Sequence, residues 1–135
     1  MVESSVIKKV TAAIIEKDAK ILIARRKKGD KMQYKWEFPG GKIKQNESPE
    51  ACLKRELFEE FAIYVCVKEY VCSSNYVYPH IAIELMAYRV EYISGEFKLT
   101  DHDLIEWLTP DQLLNYDLAE ADIPVAKTII ESYRL

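Results

Sequence analysis

A chain of 135 residues with 49% apolar and 30% charged residues has the composition of one globular domain, residues 1–135, and is too hydrophobic for disorder. Its net charge of -3 argues against a general nucleic-acid or anionic-membrane binder, and three cysteines (Cys52, Cys66, Cys72) form no metal-type pair of pairs and fit a reducing compartment. The start, "MVESSVIKKV", is too polar for a signal peptide, and no run approaches the roughly 18 to 20 apolar residues of a membrane span, so the expected location is the cytoplasm.

"VIKKVTAAII" (6–15) and "KILIAR" (20–25) read as strands around the turn "EKDA". A basic loop, "RKKGDKMQYK", leads to the short apolar piece "WEF" and the turn "PGG". A helix follows. Ser48 is a good N-cap, Pro49 a good first residue, and Glu50 suits the positive end of the helix dipole. At about 100° per residue, Leu53, Leu57, Phe61, Phe58 and Ala51 share one broad stripe expected to face the core. Glu56, Glu59 and Glu60 gather on the other side, where like charges at i and i+4 cost roughly 0.2–0.5 kcal/mol. "AIYVCVKEYV" (62–71) and "HIAIELMAYRVEYI" (80–93) have the β-branched and aromatic content of longer strands, with "SGEF" as a turn. "LIEWL" (104–108) is a further strand. "TPDQLLNY" begins a short helix with Thr109 as N-cap, and "DIPVAKTIIESYRL" (122–135) closes the chain as an amphipathic helix. Strands before and after a central helix, with another helix at the end, suggest a mixed sheet covered by helices.

The acidic helix has two readings. It is a solvated face partly neutralised by Arg55, or an oxygen-only cage for Mg²⁺ or Mn²⁺, completed by a backbone carbonyl of the "PGG" turn. Such ions typically bridge to substrate phosphates. Elsewhere, Asp122 suits the N-cap of the last helix, while His80 and His102 show no partner pattern and read as surface or strand residues.

Gly41, five residues, Glu47, seven residues and then "RELFEEFAI" resemble the Nudix box, G-x5-E-x7-R-E-U-x-E-E-x-G-U. Gly41, Glu47, Arg55, Glu56, Leu57, Glu59, Glu60 and Ile63 match it, and Ala62 stands where the family has glycine. "ARRKKGDKMQYKWEFPGGKI" and "NYDLAEADIPVAKTI" extend the likeness to MutT-type members of the family. The resemblance implies a Nudix α/β/α sandwich, a mixed sheet flanked by helices, and Mg²⁺-dependent water attack on a nucleoside triphosphate to give the monophosphate and pyrophosphate. Mn²⁺ is the expected substitute.

The same likeness implies roles for single residues. Glu56, Glu59 and Glu60 match the metal-binding and catalytic glutamates, and Gly40 a glycine whose carbonyl joins the metal shell. Glu106 matches a later glutamate that approaches the metals, although alone it reads equally as an exposed strand residue. Glu47 and Arg55 match a salt bridge that orients helix and loop. Glu59 is a candidate general base. Arg26 and Lys42 match phosphate contacts, Phe38 a residue against the base, and Asp122 a position that hydrogen-bonds the base edge. An 8-oxo-dGTP diphosphatase is the leading expectation, with a pyrimidine (CTP, dCTP or methylated dCTP) pyrophosphohydrolase as the alternative. ADP-ribose hydrolysis and a non-catalytic binding module fit less well, because the "YDLAEADIP" ending and the complete set of box carboxylates speak against them. The expected partner is a small nucleotide, with no direct nucleic-acid or membrane binding, in a monomer or homodimer.

Overall fold

In the computed structural model, which describes residues 6–133, the first apolar run becomes strand β1 (Ile7–Lys17). The chain reverses at Asp18 and Ala19, whose φ values of 53° and 63° give the left-handed turn that matches hairpin twist, and enters β2 (Lys20–Arg26). The two strands pair only at Glu16↔Ile21 and Lys17↔Lys20. Beyond that point they separate. β2 runs antiparallel to β6 (His102–Leu108) and to the two-residue β3 (Trp36–Glu37). β1 runs parallel to β5 (Ala82–Ser94), which pairs in turn with β4 (Tyr64–Val77). Residues 36–43 fill the fork: β3 lies on β2, and the next residues hydrogen-bond to β1, Ala13 N to Pro39 O, Thr11 N to Gly41 O and Ile43 N to Lys9 O.

Helices close both faces of the mixed sheet. "TAAII" in β1 is apolar on successive residues because both faces are buried. Ala13 and Ile15 meet α1 (Pro49–Phe61) through Leu53, Leu57 and Phe61, with Leu22 and Ala24 of β2 in the same layer. Ala12 and Ile14 meet α2 (Ile123–Ser132) through Val125, Ala126 and Ile129, with Ile21 and Ile23 alongside. Full burial of an aliphatic side chain such as Leu53 or Leu57 stabilises the fold by about 1.5–3 kcal/mol. Among the described residues no helix is long and apolar enough to cross a membrane.

Helix α1 begins as its sequence requires, with Ser48 Oγ accepting from Ala51 N at 3.1 Å. The buried stripe differs from expectation. Ala51 is exposed, and Phe58 is 50% exposed, its ring against Tyr64 at 5.3 Å. Cys52 and Glu60 are buried instead, so the helix is rolled to bring its acidic flank toward the fork. The segment after Thr109 is a 3-10 helix (Pro110–Asn115), held at its start by Gln112 Oε1 accepting from Thr109 N. It stays short because Trp36 N donates to Asp117 O and Ala119 N to Trp36 O, which ties the following residues to β3. The last helix covers Ile123–Ser132 of the predicted 122–135, and residues 1–5 and 134–135 lie outside the described residues.

Ala62 ends α1 in the left-handed conformation (φ 57°), its N–H donating to Phe58 O at 2.9 Å. A non-glycine residue there costs about 1–2 kcal/mol, of which glycine's greater freedom when unfolded returns about 0.5–1 kcal/mol. Ala62→Gly is therefore expected to raise stability in urea unfolding by about 0.5–1 kcal/mol. A variant no more stable than the parent would show that Ala62 carries no strain.

Candidate active site

The fork between β1 and β2 opens into a cleft of about 430 Å³. Its floor is the backbone of residues 39–43, and two glycines are needed to lay it there. A Cβ on Gly40 would stand 2.0 Å from Thr11 O, and one on Gly41 2.3 Å from the carboxyl carbon of Glu56. Thr11 Oγ1 lies 3.2 Å from Gly41 O, and Cys52 Sγ donates to Lys42 O at 3.4 Å, clamping the loop between strand and helix. Since the Pro39 and Gly41 carbonyls both face β1, the alternation of an extended chain turns the Gly40 carbonyl away from it.

Arg55 organises the carboxylates around this loop. Its Nε and Nη2 donate to Glu47 at 2.7 and 2.9 Å, its Nη1 to Glu56 at 2.9 Å and Glu59 at 3.0 Å, and its Nη2 also to Lys42 O at 3.1 Å. The Arg55 hydrogen bond, helped by one from Lys44 N, holds the Glu47 carboxyl down at about 2. The repulsion expected along α1 is thus met by a cation inside the cluster.

Glu60 is buried, and its pKa is pushed up to about 9 by that burial, then by the adjoining Glu56 and the charge of Glu37. His102, also buried, lies with Nε2 2.8 Å from Glu37 Oε2 and Nδ1 3.6 Å from Glu60 Oε2, its ring stacked on Phe61 at 5.0 Å. Arg26 completes the row, with Nη1 3.2 Å from Glu37 Oε2 and Nη2 2.6 Å from Asp30 Oδ2.

At the other end the cleft is apolar. Phe38 and Tyr78 line it with Ile83, Leu85 and Ala119. Asp122 lies there too, buried, with Oδ2 accepting from Phe38 N at 2.8 Å and no side-chain bond to the start of α2. Burial and the charge of Glu37 raise its pKa well above the ordinary 3.8. Tyr78 accepts from Ala121 N at 2.9 Å, and burial lifts its hydroxyl to about 12.

The residues singled out in the sequence therefore divide. Arg26, Phe38, Gly40, Lys42, Glu56, Glu60 and Asp122 line one cleft, with Glu47 and Arg55 bracing it from outside. Glu59 is exposed, held by Arg55 and outside the cleft lining. The register of Glu106 opposite Ile23 makes it an exposed strand residue on the α2 face of the sheet, and Asp101 from the loop before β6 lines the cleft. Asp122 is an N-cap by position only. Glu37, His102 and Asp101 were missed. Of these only Glu37 had a signal, a charge between two aromatics in a strand.

Among the described residues, no three acidic, histidine or cysteine side chains stand together as a ready cation cage. The donor set nevertheless fits a hard divalent ion. Glu60 Oε2 is buried without a hydrogen-bond partner, Glu56 lies against Gly41, and the Gly40 carbonyl is turned from β1.

The family model described as NUDIX domain matches residues 10–128. The CTP pyrophosphohydrolase of Escherichia coli (strain K12) is 40% identical over 121 residues, 90% of either chain. The putative 8-oxo-dGTP diphosphatase 2 of Mycobacterium tuberculosis (strain ATCC 25618 / H37Rv) is 33% identical over 117 residues, 84% of this chain and 81% of that one. Among solved structures, that of the E. coli ORF135 protein superposes with a TM-score of 0.85 at 37% identity, over 95% of this chain and 91% of that one. With the box on a clamped loop and helix, and the likeness running almost end to end, the chain belongs to the Nudix family, as a MutT-type hydrolase of phosphoric anhydride bonds.

Proposed function

We propose that this chain is a single-domain, Mg²⁺-dependent nucleoside triphosphate pyrophosphohydrolase of the 8-oxo-dGTP diphosphatase type. It releases a nucleoside monophosphate and pyrophosphate, and clears damaged nucleotides from the cytoplasmic pool. One observation carries this reading: a single cleft joins a carboxylate-rich edge, a basic edge and an apolar end with one buried acid. These suit a divalent cation, a polyphosphate and a base in that order.

When bound, the cation supplies neutralisation of phosphate charge and a more acidic water. Glu56, Glu60 and the Gly40 carbonyl are its proposed ligands. Arg55 keeps Glu56 turned toward the loop, and Glu47 keeps Arg55 in place. Arg26 and Lys42 meet the phosphates. With Glu59 held outside by Arg55, the proton leaving the attacking water falls to a carboxylate inside the cleft. Phe38 and Tyr78 flank the base.

Asp122 is the proposed reader of that base. Its raised pKa favours the protonated form, in which, with one oxygen accepting from Phe38 N, it offers an O–H donor as well as lone pairs. That pair complements the carbonyl and N–H edge of 8-oxoguanine. It also complements the ring nitrogen and amino group of cytosine, a second reading that the likeness to a CTP pyrophosphohydrolase supports.

With Mg²⁺, a panel of 8-oxo-dGTP, dGTP, dCTP, CTP, methylated dCTP and ADP-ribose is expected to give pyrophosphate from the triphosphates, with 8-oxo-dGTP highest in kcat/KM. A cytosine nucleotide at the top would establish the pyrimidine reading. Absence of pyrophosphate release from every triphosphate would overturn both.

The raised pKa of Asp122 has its own test. Its folded pKa is raised above the unfolded 3.8, so its contribution to stability is complete below 3.8 and lost as pH rises toward the folded value. Asp122→Asn keeps an acceptor for Phe38 N and cannot ionise. Relative to the parent, it is expected to gain stability steadily in urea unfolding as pH rises above about 4 toward the folded value. Parallel curves across that range would contradict a raised pKa.

A further inference from the structure

His102 is one of two histidines in the chain, and it lies on the path between the two edges of the cleft. From Arg26 the contacts run to Glu37 Oε2 (3.2 Å), on to His102 Nε2 (2.8 Å), and across from Nδ1 to Glu60 Oε2 (3.6 Å). Arg26 is anchored behind by Asp30, and the imidazole plane is set by its stack on Phe61, a fully buried residue of α1. The two facing atoms, Glu60 Oε2 and His102 Nδ1, are the buried side-chain polar atoms among the described residues that have no hydrogen-bond partner. A buried polar atom without a partner is costly unless something at the site uses it. The pairing is not local. Glu37, Glu60 and His102 come from β3, α1 and β6, so three separate elements converge on one ring.

We propose that His102 is a positioning residue that holds Glu60 in the orientation from which it ligates the cation, and couples that carboxylate through Glu37 to Arg26 on the phosphate edge. The proposal rests on the assignment of Glu60 as a metal ligand. A carboxylate ligand left free to rotate binds its ion more weakly, and partners that orient metal ligands typically contribute about 10- to 100-fold in affinity. The ring does this from a distance, without touching substrate. Its two nitrogens have separate duties: Nδ1 addresses Glu60, and Nε2 addresses Glu37.

Those duties can be separated by amide substitutions. Asparagine places its polar atoms near the Nδ1 position, and glutamine near the Nε2 position. Binding of Mn²⁺ to the full chain without nucleotide, followed by the electron paramagnetic signal of free Mn²⁺, is expected to weaken about 10- to 100-fold in His102→Gln and to stay near the parent value in His102→Asn. Both variants lose the stack on Phe61, so that loss cancels in the comparison. Equal weakening in the two would assign His102 a purely structural role and overturn the proposal, as would parental affinity in His102→Gln. Glu60→Gln is the control. Parental Mn²⁺ affinity there would remove Glu60 from the metal shell, whereas weak binding there with parental binding in His102→Gln would reject only the role of His102. A measurement on the unmutated protein serves if the variants do not fold. With ¹⁵N-labelled histidine, saturating Mg²⁺ is expected to move the Nδ1 resonance of His102 and to leave that of His80 nearly in place. A His102 Nδ1 signal indifferent to Mg²⁺ would overturn the proposal.

Discussion

Everything at the site depends on the backbone of residues 39–43 lying along β1 where β2 has left it. The hydrogen bonds from Thr11 and Ala13 hold that segment, and only glycine fits at its closest approaches. A β-carbon at position 40 would enter the Thr11 carbonyl, and one at 41 would displace Glu56. From this contact follow the direction of the Gly40 carbonyl, the seat of Glu56 and the placement of Phe38 beside Asp122. The Gly-Gly pair therefore acts as a spacer between strand and helix, set to the width of a bare backbone.

The cleft is built at an electrostatic cost that the fold does not remove. Glu37, Glu56, Glu60 and Asp122 share it, and burial holds two of them toward their neutral forms. Arg55 and Arg26 compensate part of the charge, each bound to carboxylates on more than one side. What remains is an excess of acidic oxygens that a cation would relieve. Strain of this kind concentrates at functional sites, where stability is exchanged for readiness.

Much of this was legible in the sequence. The cap at Ser48 and Pro49, the hairpin around residues 16–19 and the box spacing are local signals, and local signals survive folding. The roll of α1 was not legible. Helical periodicity gives a stripe but not which flank the sheet accepts, and the acidic flank was drawn in at Glu60 while Phe58 was left out. The face that Glu106 occupies was not legible either, because position along the chain does not give the face of a strand; its register with Ile23 does. His102 was invisible for a further reason. Its partner Glu37 lies 65 residues away on β3 and its partner Glu60 lies on α1, and no spacing rule connects them. Asp122 kept a cap's position while its side chain turned to Phe38, a choice made by tertiary contact.

In the proposed function the catalytic cation sits in the glycine-floored fork, with Glu56 and Glu60 beside it. Anomalous diffraction from crystals grown with Mn²⁺ tests it most directly. A peak is expected within about 2.0–2.2 Å of the Gly40 carbonyl oxygen and of oxygens from Glu56 and Glu60, with Glu106 outside the shell. A peak on the outer face of α1 or on the α2 face of the sheet, with no contact to Gly40, would contradict it.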